Sequence, residues 1–232
     1  MIVSIKNNKG GVGKSWLTLQ LAHLLSMLDK KVLVLTSDSQ NNILEFSGVD
    51  TTYGRGLEDW VTKGTGDIIR LRENLMYIPL KNNDFSPQFR EKLKIFTVNL
   101  KKEYDYILID SVPTLKVDKE FEQVSDKILI PIFMDHITLS GTLNMLNEVD
   151  HKKIIGLVPN RFTGNKIEKE IYNQLKEILD GNEIKMFEPI KQKSFISELI
   201  SKNKTIWESN SVKIADVQKI ISEILEEIID EK

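Results

Sequence analysis

The feature that most constrains the fold is a glycine-rich segment near the N-terminus. The apolar run Ile2–Ile5 leads into Lys9-Gly10-Gly11-Val12-Gly13-Lys14-Ser15, and an apolar-periodic helix pattern follows over Ser15–Leu28. Glycines in such a loop let several backbone N–H groups converge on phosphate oxygens, and the helix N-terminus adds a partial positive charge. We therefore predict a phosphate-binding loop rather than an ordinary turn before a core helix.

The residues of this loop also indicate how a nucleoside triphosphate would be bound. Lys14 is expected to lie along the β- and γ-phosphates, and the Ser15 hydroxyl is expected to ligate Mg²⁺. The cofactors predicted from this segment are ATP and Mg²⁺. The predicted nucleotide-binding residues here are Lys9, Gly10, Gly11, Val12, Gly13, Lys14, Ser15 and Trp16.

The rest of the chain alternates between strand and helix patterns. Short β-branched runs bounded by polar breaks predict buried strands, and longer apolar-periodic segments between them predict helices. This alternation favours an α/β fold with a mainly parallel twisted sheet and helices on both faces, and no linker divides residues 1–232, so we predict one domain. The predicted strands are Ile2–Ile5, Val32–Leu35, Met76–Pro79, Tyr106–Ile109, Lys127–Ile132 and Ile154–Val158, with a weak candidate at Glu183–Phe187 and a helical cover after it.

Composition excludes several function classes. The chain has no cysteine, so disulfides, thiolate metal sites, iron–sulfur clusters and cysteine nucleophiles are excluded. The formal net charge is -2, so any contact with DNA must come from a local basic patch. The first apolar run is too short for a signal segment, and we expect a cytoplasmic protein.

Two aspartates follow predicted strands at the sheet edge where such folds bind ligands. Asp38 comes just after Val32–Leu35, and a carboxylate there can orient the water that attacks the γ-phosphate. Asp110 closes the apolar run at Tyr106–Ile109 and is the predicted partner of Ser15 in holding Mg²⁺. For each aspartate the alternative is a turn or helix cap.

The segment Lys9–Ser15 departs from the common phosphate loop in one respect. The position six residues before Lys14 is Asn8 instead of glycine, and a second lysine, Lys9, follows it. This variant resembles the deviant phosphate-loop ATPases of the ParA/MinD type. The resemblance implies an ATP-dependent homodimer in which Lys9 reaches the phosphates of the partner subunit. It also implies that Lys9, Lys14 and Asp38 act in catalysis. Asn160 is implied to contact adenine. Without the resemblance, Lys9 could equally be a solvated lysine beside an anion site, and Asn160 an ordinary turn residue.

The chain differs from the family pattern at several positions. Thr36 and Ser39 replace the first Asp and the Pro of the family's Asp-x-Asp-Pro-Gln segment, which puts the hydrolysis rate in question. Trp16 stands where the family has a threonine. Ser111-Val112-Pro113 resembles the family's Asp-x-Pro-Pro switch segment.

The branch of the family is suggested by the C-terminal third. Its last helix has an acidic polar face, which anionic membranes repel, so membrane targeting is not expected. A basic-leaning stretch precedes that helix, and we predict non-specific DNA binding there, with a solvated surface as the alternative. We also expect a ParB-like activator or centromere-binding partner, nucleoid association if DNA is bound, and no N-terminal helix-turn-helix domain, since the first strand begins at residue 2. The predicted DNA-binding residues are Lys191, Lys193, Lys202, Lys204 and Lys213.

The function predicted is thus that of a partition or positioning ATPase resembling small ParA-like proteins. Two alternatives stay open. One is a nucleotide-switched binding protein that hydrolyses little ATP, and the other is a MinD-like membrane-positioning ATPase.

Overall fold

The computed structural model describes residues 1–82, 85–112 and 115–230. Strands and helices alternate along most of this chain. The strands are β1 (Ile2–Ile5), β2 (Val32–Thr36), β3 (Ile69–Arg72), β4 (Leu75–Ile78), β5 (Tyr106–Asp110), β6 (Lys127–Ile132), β7 (Ile154–Pro159) and β8 (Lys185–Met186). The helices are α1 (Lys14–Met27), α2 (Asn42–Ser47), α3 (Leu57–Lys63), α4 (Pro87–Leu100), α5 (Leu115–Val124), α6 (His136–Leu146), α7 (Lys166–Leu179), α8 (Ser194–Ser201) and α9 (Ala215–Asp230).

The strands form one eight-stranded sheet in the order β3-β4-β2-β5-β1-β6-β7-β8. All neighbouring pairs are parallel except β3 with β4, which are joined by a tight turn. The glycine-rich loop follows β1, which lies between β5 and β6. Because the carboxyl ends of parallel strands share one edge, the loops after β1, β2 and β5 meet there.

Helices cover both faces of this sheet, because alternate strand residues point to opposite sides. On one face Val3 and Ile5 pack with α1 and α9, whereas Ile2 packs on the other face with α3, α4 and α5. A third cluster joins β6 and β7 to α6 and α7. Each central strand is therefore buried on both sides, which explains why its sequence is almost continuously apolar.

The fold class predicted from the sequence is confirmed. The six strand predictions and the weak one at Glu183–Phe187 each correspond to a strand whose bounds differ by at most two residues. Three elements were not predicted: β3, α2 and α5. The strand β3 has the sequence Ile-Arg-Leu-Arg at the sheet edge, α2 has only six residues, and α5 is rich in charged residues. Their apolar patterns are too short or too sparse to stand out.

The last helix packs on the body of the protein. Its apolar stripe, Val217, Ile221, Ile224, Leu225 and Ile228, is buried. The helical cover predicted for the C-terminal region is thus present in α8 and α9. Within the described ranges, no helix combines the length and the apolarity needed to cross a membrane.

Candidate nucleotide-binding site

The glycine loop has a backbone shape that depends on glycine at two positions. Gly11 has φ 78° and Gly13 has φ 96°, in the left-handed region that L side chains avoid. Gly13 is also the N-cap of α1, and its carbonyl accepts a hydrogen bond from the backbone of Leu17 at 2.9 Å. At Gly10 and Gly11 an added Cβ would meet no atom within 4 Å, so the outer side of the loop faces open space.

The two lysines of the loop occupy different environments. Lys14 is buried and its Nζ donates to the carbonyl oxygen of Lys9 at 3.0 Å, so its ammonium crosses the inside of the loop. Lys9 is exposed, and its backbone N–H donates to Asn7 Oδ1 at 2.8 Å. Asn7 in turn donates to the carbonyl oxygen of Pro131 at 2.8 Å. The base of the loop is therefore anchored to β6, while the Lys9 side chain can be reached by another molecule.

A cavity of about 450 Å³ borders the loop. The cavity volume and the open space above Gly10 and Gly11 are suitable for a bound nucleotide. The backbone N–H groups of the loop would donate hydrogen bonds to its phosphates. Trp16, only 7% exposed, packs into the main core and also lines the cavity with Phe46. The remaining lining residues come from the P-loop, from the segments after β2, β5 and β7, and from the segment around α8: Gly10, Gly11, Gly13, Lys14, Ser15, Asp38, Asn42, Ser111, Asn160, Arg161, Lys191, Gln192, Lys193, Ile196, Ser197 and Ile200.

Asp38 lies on the wall of this cavity, just past the end of β2. Its Oδ1 accepts a hydrogen bond from the backbone of Gln40 at 3.0 Å. The buried Thr36 hydroxyl accepts from the backbone N–H of Asp38 at 2.9 Å and lies 3.2 Å from the carbonyl oxygen of Asp110. At the position where the family resemblance implies a carboxylate, a hydroxyl therefore links the loop after β2 to the end of β5.

Asp110 ends β5 and is only 2% exposed. It is in register with Ile5 of β1 and with Thr36 of β2, so it lies at the same sheet edge as the glycine loop. Ser111 Oγ donates to the carbonyl oxygen of Ile5 at 2.8 Å, which holds the loop after β5 against the end of β1. Pro113, part of the predicted switch segment, lies outside the described residues.

The side chains available for Mg²⁺ agree with a phosphate-dependent metal site. Among the described residues no group of three His, Cys, Asp or Glu side chains could hold a metal ion. Ser15 lines the cavity and Asp110 is buried at the same edge. Mg²⁺ in nucleotide sites uses one or two protein oxygens and takes its other ligands from phosphates and water, so these two residues fit that role.

Asn160 supports the glycine loop directly. It follows β7, is 7% exposed, and its Nδ2 donates to the carbonyl oxygen of Val12 at 2.8 Å. Its Oδ1 accepts the backbone N–H of Arg161 at 2.9 Å. An amide nitrogen carries two N–H groups, so this contact does not preclude the predicted contact with adenine, which remains a prediction.

The five lysines predicted to bind DNA do not form one cluster of free charges. Lys191 and Lys193 line the nucleotide cavity, and Lys193 forms an ion pair with Asp216 at 2.6 Å. Lys202 pairs with Glu198 at 2.6 Å on α8. Lys213 lies over the ring of Phe195, 5.7 Å from its centroid, and Lys204 is exposed on the surface.

One polar residue behind Asp38 was not predicted from the sequence. Asn41 is 6% exposed, and its side chain contacts Tyr53, 12 residues away in the sequence, and Tyr77 and Leu80, which are 36 and 39 residues away. Burial raises the pKa of Tyr77 well above the ordinary value, with a further contribution from the nearby Asp110. The run of polar residues Gln40-Asn41-Asn42 directly after a buried strand was the only signal available.

Comparison with known proteins identifies the family. The model of the CobQ/CobB/MinD/ParA nucleotide binding domain matches residues 3–206. The sporulation initiation inhibitor protein Soj of Bacillus subtilis is 30% identical over 162 residues, which are 64% of this chain and 64% of Soj. A plasmid partition protein of Borrelia burgdorferi, solved with AMPPNP bound, is 26% identical with a TM-score of 0.79, covering 100% of this chain and 99% of that one. Cyanothece McdA, 19% identical with a TM-score of 0.82 over 97% of this chain and 98% of its own, shares the fold. Together with the glycine loop and the strand order, these matches show that the chain belongs to the ParA/MinD family of P-loop ATPases.

Proposed function

We propose that this protein is an ATPase that dimerises when it binds ATP and serves in DNA partition or cargo positioning. In this proposal the dimer binds DNA non-specifically, and a ParB-like partner stimulates the hydrolysis that resets it. The observation that carries the proposal is the exposed Lys9 in the loop that borders a cavity lined by Lys14 and Asp38. The likeness to a partition protein solved with AMPPNP, at 26% identity over the whole chain, supports it.

The residues around the cavity have different roles in the proposed hydrolysis. Backbone N–H groups of Gly10 to Ser15 bind the phosphates, and the buried Lys14 balances their charge. Asp38 accepts a hydrogen bond from the attacking water and orients it in line with the bond that breaks. Mg²⁺, held by Ser15 and Asp110, would neutralise charge on the phosphate oxygens.

Lys9 is proposed as the link between nucleotide and dimer. Its side chain is exposed, whereas that of Lys14 is buried, so Lys9 is the loop lysine that can extend to phosphates bound by a second subunit. A charge-assisted contact of this kind is made to ATP and weakened when the γ-phosphate leaves. The dimer would therefore persist with ATP and separate with ADP.

The structure favours binding to DNA over binding to a membrane. The apolar stripe of α9 packs in the core, so it is not available to lipid, and Glu226 and Asp230 are exposed on its polar side. We propose that DNA phosphates contact the basic stretch formed by Lys191, Lys193, Lys202, Lys204 and Lys213. Because Lys193 and Lys202 are already paired with carboxylates, their contribution is expected to be smaller than that of Lys204.

The proposal is tested by measuring the mass of the protein in solution with ADP and with ATP–Mg²⁺. The native chain should be monomeric with ADP and dimeric with ATP, Lys9→Ala should abolish the dimer, and Asp38→Ala should prolong it. Lys30→Ala is a matched control, because Lys30 is exposed just before β2 and so lies at the opposite edge of the sheet. A mass that does not respond to nucleotide would contradict the proposal.

A second candidate function is favoured by Thr36. Since a hydroxyl stands where the family has a carboxylate, the protein could act as a nucleotide-switched binding protein with little turnover. Measuring ATP turnover with and without DNA separates the two functions. Sedimentation with anionic vesicles in the presence of ATP tests the membrane alternative, and ATP-dependent pelleting would contradict the DNA proposal.

A further inference from the structure

Asn41 combines a buried polar side chain with a rare backbone conformation. It immediately precedes α2 and has φ 49°, in the left-handed region that non-glycine residues rarely adopt. Asparagine tolerates this region better than most residues. If only this backbone conformation were required, glycine would adopt it more easily than asparagine. The asparagine side chain must therefore have a further role.

The side chain of Asn41 joins three parts of the chain. Its Nδ2 lies 2.8 Å from the carbonyl oxygen of Ser39, 2.7 Å from that of Leu80 and 2.9 Å from the Tyr53 hydroxyl. Its Oδ1 accepts hydrogen bonds from the Tyr77 hydroxyl at 2.7 Å and from the backbone N–H of Leu80 at 2.9 Å. Both the donor and the acceptor ends of the amide are therefore used.

The partners of Asn41 form a rigid support. Tyr77 lies in β4, which pairs with β2 in the sheet, and its side chain is fully buried. The Tyr77 hydroxyl is protonated at neutral pH and donates to Asn41, and burial raises its pKa further. Leu80 follows β4 by two residues, so it is held by the same strand.

The loop that carries Asp38 lies between two anchors. At its start the Thr36 hydroxyl accepts a hydrogen bond from the backbone N–H of Asp38. At its end the backbone N–H of Asn41 donates to the carbonyl oxygen of Asp38 at 3.1 Å. The Asp38 carboxylate also accepts from Gln40, inside the same loop. Thr36 ties the start of the loop to β5, and the Asn41 side chain ties its end to β4.

We propose that Asn41 is a positioning residue for hydrolysis: by joining the Asp38 loop to Tyr77 and Leu80, it holds the Asp38 carboxylate facing the nucleotide cavity. This inference rests on the proposed function, in which Asp38 orients the attacking water. Asn41 itself does not line the cavity, so it acts through the loop and not on the nucleotide.

The test compares substitutions that keep the backbone shape. Asn41→Gly retains the left-handed conformation and removes every side-chain bond, Asn41→Asp keeps the acceptor and removes the donors, and Tyr77→Phe removes one of the bonds to Asn41. Asn74→Gly is the matched control, since Asn74 has nearly the same φ, 55°, and is exposed in the turn between β3 and β4.

The readout is basal ATP turnover, separated into kcat and KM. Misplacing a catalytic group by about 1 Å costs up to ~100-fold in rate, so Asn41→Gly should lower kcat by about 10- to 100-fold while KM changes less than about threefold. Tyr77→Phe should lower kcat by a smaller factor, and Asn74→Gly should leave both parameters at native values. An Asn41→Gly protein with native kcat would overturn the inference, as would a rise in KM without loss of kcat.

Two further measurements keep the inference separate from the proposed function. If Asn41→Gly does not fold, the comparison of kcat between Tyr77→Phe and native protein decides, and equal values overturn the inference. If the native protein shows no turnover, the proposed hydrolysis fails, and hydrogen exchange at the Gln40 and Asn41 amides then tests the support itself. Faster exchange in Asn41→Asp than in native protein is expected, whereas equal exchange would overturn the inference.

Discussion

Replacing Gly13 with alanine adds one methyl group beside the Asn160 amide that supports the phosphate loop. The new Cβ would lie within 3.0 Å of Asn160 Nδ2, so the amide must move and its bond to Val12 is broken. Holding alanine at φ 96° costs about 1–2 kcal/mol, and losing a buried hydrogen bond costs about 0.5–1.5 kcal/mol. Gly13→Ala should therefore destabilise the fold by roughly 1.5–3.5 kcal/mol, or ~3–14 °C in Tm for a chain of this size.

Two neighbouring glycines allow the two costs to be separated. Gly11→Ala has the backbone cost alone, since its φ is 78° and its Cβ would meet no atom within 4 Å. It should lower Tm by about 2–8 °C. Gly10→Ala has neither cost and should leave Tm close to the native value. Thermal unfolding without nucleotide measures the series, and equal effects of Gly11→Ala and Gly13→Ala would refute the role given to Asn160.

Other predictions concern pH and DNA. Burial lowers the pKa of His23 below 6.5, so on acidification the unfolded chain takes up a proton before the folded one does. The contribution of His23 to stability should therefore be lost as the pH falls through about 6.5, and the fall in the free energy of unfolding in urea should be weaker in His23→Gln. For DNA, Lys204→Gln should weaken binding and reduce the salt dependence of log K by about 0.9 for each phosphate that is no longer neutralised, whereas Lys30→Gln should change neither. A salt dependence that is unchanged in Lys204→Gln would exclude that lysine from the DNA surface.

The sequence was sufficient to predict the architecture because its strongest signals are local. A central strand such as β5 is buried on both faces, so its apolar run is visible without knowing its neighbours. The glycine loop is equally local, since phosphate binding depends on consecutive backbone groups. In contrast, β3 is stabilised by pairing with β4 at the sheet edge, and its alternation of isoleucine, leucine and arginine has no distinctive pattern by itself.

The composition of the cavity wall depended on contacts between distant segments. From the sequence, Asp38 and Asp110 could be placed at the carboxyl ends of strands, because strand ends are local features. Which residues support them could not be predicted, since Asn41 meets Leu80 and Tyr77 only after β2 pairs with β4. Likewise Lys191 and Lys193 belong to a basic stretch in the sequence, whereas the folded chain brings them to the nucleotide cavity. Local patterns thus determined the sheet and the phosphate loop, while the supports of the loops and the surroundings of each charge were decided by tertiary contacts, which a linear pattern does not contain.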